Sequence, residues 1–189
     1  MLDRPDPRMV PRQLNDEDES ALALLSKVRG QGGHPGNVFL TLVHNEEFFR
    51  RFLSYGGYLM YQSDLPSVLR EAVILRVAAR CGSEYEWRQH VPLARACGIS
   101  DTQVTALRDL QCLPAPSSWD DLTVAALKAV DQLLGSYQVE DDVWSDLAGR
   151  LQPAQLIDLL FLLGHFVSVA LFLNAARVAL DPWSADGQQ

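Results

Sequence analysis

The chain is poor in cysteine. Its 189 residues hold three, Cys81, Cys97 and Cys112, and no two stand at C-x-x-C spacing. That spacing is what dithiol redox chemistry needs, so its absence excludes a thioredoxin-like or peroxidase-like thiol pair. An odd count with no secretory pattern also excludes a disulfide framework. A reducing cytoplasm and three small, buried, inert thiols are expected. Clustered positive charge is equally scarce. The formal net charge is −8, and no window gathers the Lys and Arg that electrostatic nucleic-acid binding requires. Arg4, Arg8 and Arg12 alternate with Pro5, Pro7 and Pro11, which predicts a loose leader over residues 1–14. There is no strand-like alternation, no G-x-G-x-x-G and no P-loop. His34, His44 and His90 lack H-x-x-E-H or any close His/carboxylate spacing, so no metal site is expected.

What is present is helix. The composition is 48% apolar, enough for a sizeable core in one domain over 15–183, followed by a flexible tail at 184–189. Acids at the start and Gly30 at the end predict a helix from Asp16 to Arg29, then a loop at Gly30–Gly36. Asn37 to Tyr61 is apolar at helical spacing and divides into two short helices. A helix from Asp64 to Cys81 carries Pro66 in its first turn and stops at Gly82. The next runs from Ser83 to Cys97 and is closed by Gly98. Ser100 and Gln103 form a capping-box pattern for a helix to about Leu110. A proline-rich linker follows near 113–118. Helices are then expected at Asp120 to Leu134, Glu140 to Leu151 and Pro153 to Leu180.

That last helix has no Asp, Glu, Lys or Arg between Leu159 and Ala176. The length approaches a membrane span. Gly164, His165, Ser168 and Asn174 interrupt it, and basic flanks and an aromatic belt are missing. A helix buried on all sides, in a core or between subunits, is the expectation, and no membrane partner is.

Polar residues on apolar helix faces mark the candidate site. Glu71 has Val68, Ile74, Leu75 and Ala78 as same-face neighbours. A carboxyl there either pairs with Arg70, Arg76 or Arg80, or is left to give and take protons. His90 stands four residues after Glu86, so the two can meet on one face, and a carboxylate beside an imidazole fixes its tautomer. Pro92 removes a donor to the carbonyl of Arg88, which predicts a loosened turn beside His90. Ser83 and Glu86 also fit a capping box, a purely structural use. Tyr85 and Trp87 either line an apolar pocket or pack. His165 either faces the same pocket or bonds within the core.

The run Leu69-Arg70-Glu71 followed by Ser83-Glu84-Tyr85-Glu86-Trp87-Arg88-Gln89-His90 resembles the carboxymuconolactone decarboxylase / alkylhydroperoxidase D-like family, in a Y-E-W-x-x-H variant. In the peroxidase branch a Glu precedes C-x-x-C-x-x-x-H by a fixed interval. Glu71 and His90 fall on that Glu and His, while Ser83 and Glu86 fall on the two cysteines. The resemblance is most specific from Leu65 to Ser100 and looser from Gly36 to the last helix. It implies an all-α helical bundle that assembles as a homo-trimer or homo-hexamer.

It further implies a cofactor-free acid–base enzyme, leaning to a lyase, acting on a small cyclic carboxylate, lactone or ketone. Glu71, His90 and Glu86 would be catalytic, and Tyr85, Trp87, Ser83 and His165 would contact the substrate. Two alternatives stand beside it. One is a non-catalytic member with Glu71 and His90 as a structural pair, and the other is an alkylhydroperoxidase-type antioxidant enzyme. Because Glu71 and His90 lie on helices joined by the short turn at Cys81-Gly82, they are expected at similar heights and within reach of each other.

Overall fold

A computed structural model describes residues 6–28, 34–111 and 118–185. Cys112, the loop residues Gly30–Gly33 and most of the proline-rich linker lie outside the described residues, as do the first five and last four positions. Among the described residues the regular structure is helical, with no strand. The chain forms two compact units, one of residues 1–61 and 172–189, the other of residues 62–171.

The first unit contains α1 (Glu19–Leu25), α2 (Asn37–Leu42) and α3 (Glu46–Tyr61), and ends with the short α10 (Pro182–Ala185). The division of the 37–61 stretch into two helices is as expected. α1 and α2 both pack on α3, with Ala21, Leu24, Val38, Val43, Phe49 and Leu59 buried. The side chain of Asp181 is buried and accepts the amide N–H of Asn37 at 2.7 Å. The Asn37 side chain donates to the carbonyls of Ala179 and Leu180. Together these groups satisfy a helix start that has no side-chain cap of its own.

The leader is not loose over residues 8–12. The amides of Arg8 and Met9 both donate to the carbonyl of Ala176, and that of Arg12 to Leu40. The Arg12 guanidinium bridges Asp18 and Glu46. Alternating Arg and Pro suggested an unpartnered arm, but the partners lie far along the chain and no local pattern reveals them.

The second unit is built around α4 (Ser67–Arg80), which contacts α5 (Glu84–Ala96), α6 (Asp101–Arg108) and α7 (Asp121–Ser136). α8 (Asp141–Ala148) packs on α7, and α9 (Pro153–Ala176) runs on into the first unit. Nine residues of α4 are buried, all but one of them in the unbroken run Glu71–Ala78. A helix this deeply enclosed shows no single apolar stripe. Ala72, Leu75, Ala78, Trp87, Ala94, Ile99, Val104, Leu107, Trp119 and Leu127 form its core cluster.

Two glycines set the helix ends that matter for the site. Gly82, at φ 61°, lets the amide of Ser83 reach back to the carbonyl of Ala78 at 2.8 Å. Gly98, at φ 102°, does the same for Ile99 and Ala94. Both positions need the left-handed region that glycine enters without a Cβ penalty. At α6 the expected capping box forms in full between Ser100 and Gln103.

The end of α9 differs from expectation. It stops at Ala176 rather than Leu180, with Arg177 at φ 50° and the amide of Val178 bonded to Leu173. This is a glycine-type helix stop made without glycine, so no sequence signal announces it. α9 is long and apolar enough to cross a membrane by length and composition, but half of its most apolar window is buried inside the protein. That is the pattern of a core helix.

Candidate active site

Glu71 and His90 meet. Glu71 is 2% exposed in the middle of α4, and its Oε2 lies 2.8 Å from Nδ1 of His90 on α5. The short Cys81-Gly82 turn folds the two helices into adjacent antiparallel neighbours, and α4 and α5 are in extensive contact. Arg70 approaches the other carboxyl oxygen, with Nε 3.4 Å from Oε1. A carboxylate oxygen can only accept, so Nδ1 of His90 carries the proton and Nε2 is left as the basic nitrogen. The ring of Phe166 from α9 stands edge-on to His90, with centroids 5.0 Å apart. Phe166 was not singled out in the sequence. It lies within an uninterrupted apolar run, where one aromatic at a site cannot be told from packing.

The alternative arginine partners of Glu71 are engaged elsewhere. Arg76, fully buried, holds both oxygens of Asp131 through Nε and Nη2 at 2.8 and 2.6 Å. Its Nη1 donates to the carbonyls of Leu107 and Asp109. Arg80 reaches the same Asp131 at 2.7 Å. This network ties α4 to α7 and to the end of α6.

Glu86 does not orient His90, contrary to the i, i+4 expectation. It is 2% exposed, and among the described residues neither of its carboxyl oxygens has a hydrogen-bond partner. Burial without a counter-ion holds its carboxyl well above the usual carboxylate range. The expected capping box at this helix is also absent. Ser83 makes no side-chain cap, and its buried hydroxyl is unpartnered among the described residues. The pattern S-x-x-E licenses a capping box, but the Glu86 side chain is held inside the protein instead of folding back to the amide of Ser83, which is occupied by Ala78.

The remaining predicted residues divide. Trp87 belongs to the core cluster and carries the Arg108 guanidinium 4.9 Å above its ring, so it packs toward α6. Tyr85 is buried on α5. His165 neighbours Phe166, whose ring lies 5.2 Å away, and burial lowers its pKa to about 4. It is therefore a neutral imidazole at neutral pH. α5 is helical without a break through Pro92, although that residue cannot donate to Arg88. His44 contacts the carbonyl of Val10 at 3.0 Å, and His34 accepts from the amide of Gly36 at 3.0 Å. No cluster of three metal-ligating side chains occurs among the described residues.

The two described thiols are suppressed. Burial raises the Cys81 thiol, with Glu86 adding to the effect. Burial and then the charge of Glu71 raise that of Cys97. Sulfurs in such surroundings are poor nucleophiles at neutral pH.

A buried carboxylate–imidazole pair thus joins two neighbouring helices of an all-α unit. Residues 46–132, somewhat under half of the chain, match the model of the carboxymuconolactone decarboxylase family. Solved structures share the fold. An uncharacterized peroxidase-related protein from Silicibacter sp. TM1040 superposes with a TM-score of 0.75 at 17% identity, covering 98% of this chain and 93% of that one. The alkylhydroperoxidase AhpD core of a peroxidase-related protein from Ralstonia eutropha JMP134 gives 0.75 at 18% identity, with 95% of each chain covered. The debrominase Bmp8 gives 0.76 at 14% identity, with 94% of each covered. No curated protein sequence matches the chain.

Proposed function

We propose that this protein is a cofactor-free acid–base enzyme acting on a small cyclic carboxylate, lactone or ketone, by decarboxylation, isomerisation or a related proton transfer. The observation that carries the reading is the 2.8 Å contact between Glu71 and His90. Glu71 fixes the imidazole so that Nε2 takes a proton from carbon next to a carbonyl, and the resulting imidazolium returns it to another position or to the leaving group. The neutral carboxyl of Glu86 is a second proton donor on the same helix. The match of residues 46–132 to the carboxymuconolactone decarboxylase family model supports an enzyme of this kind. The debrominase Bmp8, crystallised in complex with 2,3,4-tribromopyrrole, supports a ring-sized substrate for the fold.

A second reading treats Glu71 and His90 as a structural pair. It is favoured by the enclosure of both side chains, 3% and 12% exposed. Deuterium exchange from solvent into a panel of small cyclic keto acids and lactones, followed by proton NMR, separates the two. Exchange that falls about 100-fold or more in His90→Ala supports the enzyme. Absence of exchange across the panel, or exchange unchanged by His90→Ala, supports the structural pair.

The same proposal includes a cytoplasmic homo-oligomer, a trimer or hexamer, assembled in part through α9. Ile157 and Leu171 are 57% and 62% exposed, and Gly164 and Ser168 are exposed between them. They fall at intervals of seven, four and three, one seam of a helix. Light scattering at micromolar concentration tests this, and a 21.0 kDa particle would rule it out.

A further inference from the structure

We infer that Arg70 is a positioning residue for the acid–base pair: its fixed positive charge beside Glu71 holds the Glu71–His90 pair at a single shared proton and so leaves Nε2 of His90 unprotonated. The starting point is three groups in a row. Nδ1 of His90 lies 2.8 Å from Oε2 of Glu71, and Nε of Arg70 lies 3.4 Å from Oε1. The two partners take different oxygens of one carboxylate, whose side chain is 3% exposed. Adjacent residues on a helix do not face each other, yet this contact forms, and the Arg70 side chain is only 16% exposed. An arginine on a helix surface ordinarily carries its charged head into water. Here the guanidinium is held against a buried acid.

Charge decides where the proton goes. With one proton on the pair, at Nδ1, Glu71 is an anion and the imidazole is neutral. Arg70, charged at every working pH, then brings the cluster to zero net charge. With a second proton the pair is neutral by itself, as a carboxyl beside an Nε2–H imidazole or as a carboxylate beside an imidazolium. Arg70 would then be left as an uncompensated cation in a mostly buried place, which is costly. The one-proton state is therefore favoured, and in it Nε2 offers a lone pair. Without the guanidinium the preference reverses. The pair takes up a second proton, and both forms of that state put hydrogen on Nε2.

Among the described residues, Arg70 and His90 are the ion-pair partners of Glu71, and the groups around them do not replace the guanidinium. Arg76 and Arg80 of α4 are paired with Asp131 of α7, and Arg88 of α5 with Glu84. Glu86, one turn before His90 on α5, is kept protonated by burial. His165 on α9 is neutral at neutral pH, and the Cys97 thiol at the end of α5 is held in its neutral form. The catalytic use of this device rests on the acid–base reading above, whereas the proton count does not.

Nitrogen NMR of labelled His90 through a pH titration tests the inference. Arg70→Met keeps most of the apolar stem and removes the charge. Its Nε2 should hold a proton to about one pH unit higher than in wild type, the effect of losing one charge a few ångströms away. Arg70→Lys restores the charge and should lie nearer to wild type than to Arg70→Met. In the wild-type protein itself the Arg70 Nε resonance should move as His90 titrates, a readout that needs no variant to fold. An Arg70→Met titration that superposes on wild type, an Arg70→Lys titration that follows Arg70→Met, or an Arg70 resonance that ignores His90 would overturn the inference. In the deuterium-exchange assay Arg70→Met should lose about tenfold at neutral pH and recover as the pH is raised, which a loss of packing alone would not do. A deficit that persists at high pH would also overturn it. Absence of exchange from every substrate, with the His90 shift present, defeats the enzyme reading and leaves the role of Arg70 standing, so the two failures are told apart.

Discussion

His90 Nδ1 and Glu71 Oε2 lie 2.8 Å apart, although nineteen residues separate them in the chain. The contact assigns the imidazole proton. Glu71→Gln replaces an acceptor-only group by an amide that also donates, so the imidazole loses its fixed tautomer. Nitrogen NMR of labelled His90 should show protonation confined to Nδ1 in the wild type at high pH and a mixture in the variant. Turnover, where measured, should fall about 100-fold or more. A single unchanged tautomer in Glu71→Gln would refute the assignment.

Glu86 makes the stability of the fold sensitive to alkali. Its carboxyl stays protonated in the folded protein well above its ordinary value because it is buried without a counter-ion. Above the unfolded value the unfolded chain ionises and the folded one does not, so stability falls as pH rises toward the folded pKa. The slope is about 1.4 kcal/mol per pH unit across that window. Glu86→Gln abolishes the term. Its thermal midpoint should exceed that of wild type at pH 8 and approach it at pH 4.5. Parallel melting curves at both pH values would count against a protonated Glu86.

Thiol peroxidase activity should be absent. No two of the three cysteines stand at C-x-x-C spacing, and both described thiols are pushed away from the reactive thiolate. Alkyl hydroperoxide consumption with a dithiol reductant should stay at the uncatalysed rate. A rate that is higher and is abolished by Cys81→Ser would overturn this.

Asp131 neutralises the fully buried Arg76. Asp131→Ala removes the carboxylate that neutralises a guanidinium in the core, and the expected loss is about 3–5 kcal/mol of unfolding free energy. Urea denaturation checks this. A change below about 1 kcal/mol would mean that the remaining partners of Arg76 suffice, or that water reaches the site.

The sequence by itself determined the helices of the second unit, because their signals are local. Glycine past the end of α4 and α5, Ser100 and Gln103 at the start of α6, and 3.6-residue periodicity all act within a few residues. It also determined that Glu71 and His90 would meet. A two-residue turn leaves two helices little choice but to fold back, and the register follows from rise per residue. Tertiary structure decided everything that depends on a partner far along the chain. Arg76 and Arg80 were equal candidates for Glu71 until Asp131, 55 and 51 residues further on, claimed both. The leader was pinned at residues 8–12 by the carbonyl of Ala176 at the end of α9. Ser83 and Glu86 match a capping box as well as Ser100 and Gln103 do, yet only the second pair forms one. The difference is burial. Gln103 sits at a wet helix start and its side chain folds back to the cap, whereas Glu86 is enclosed by the packed helices and held away from the backbone it would otherwise cap.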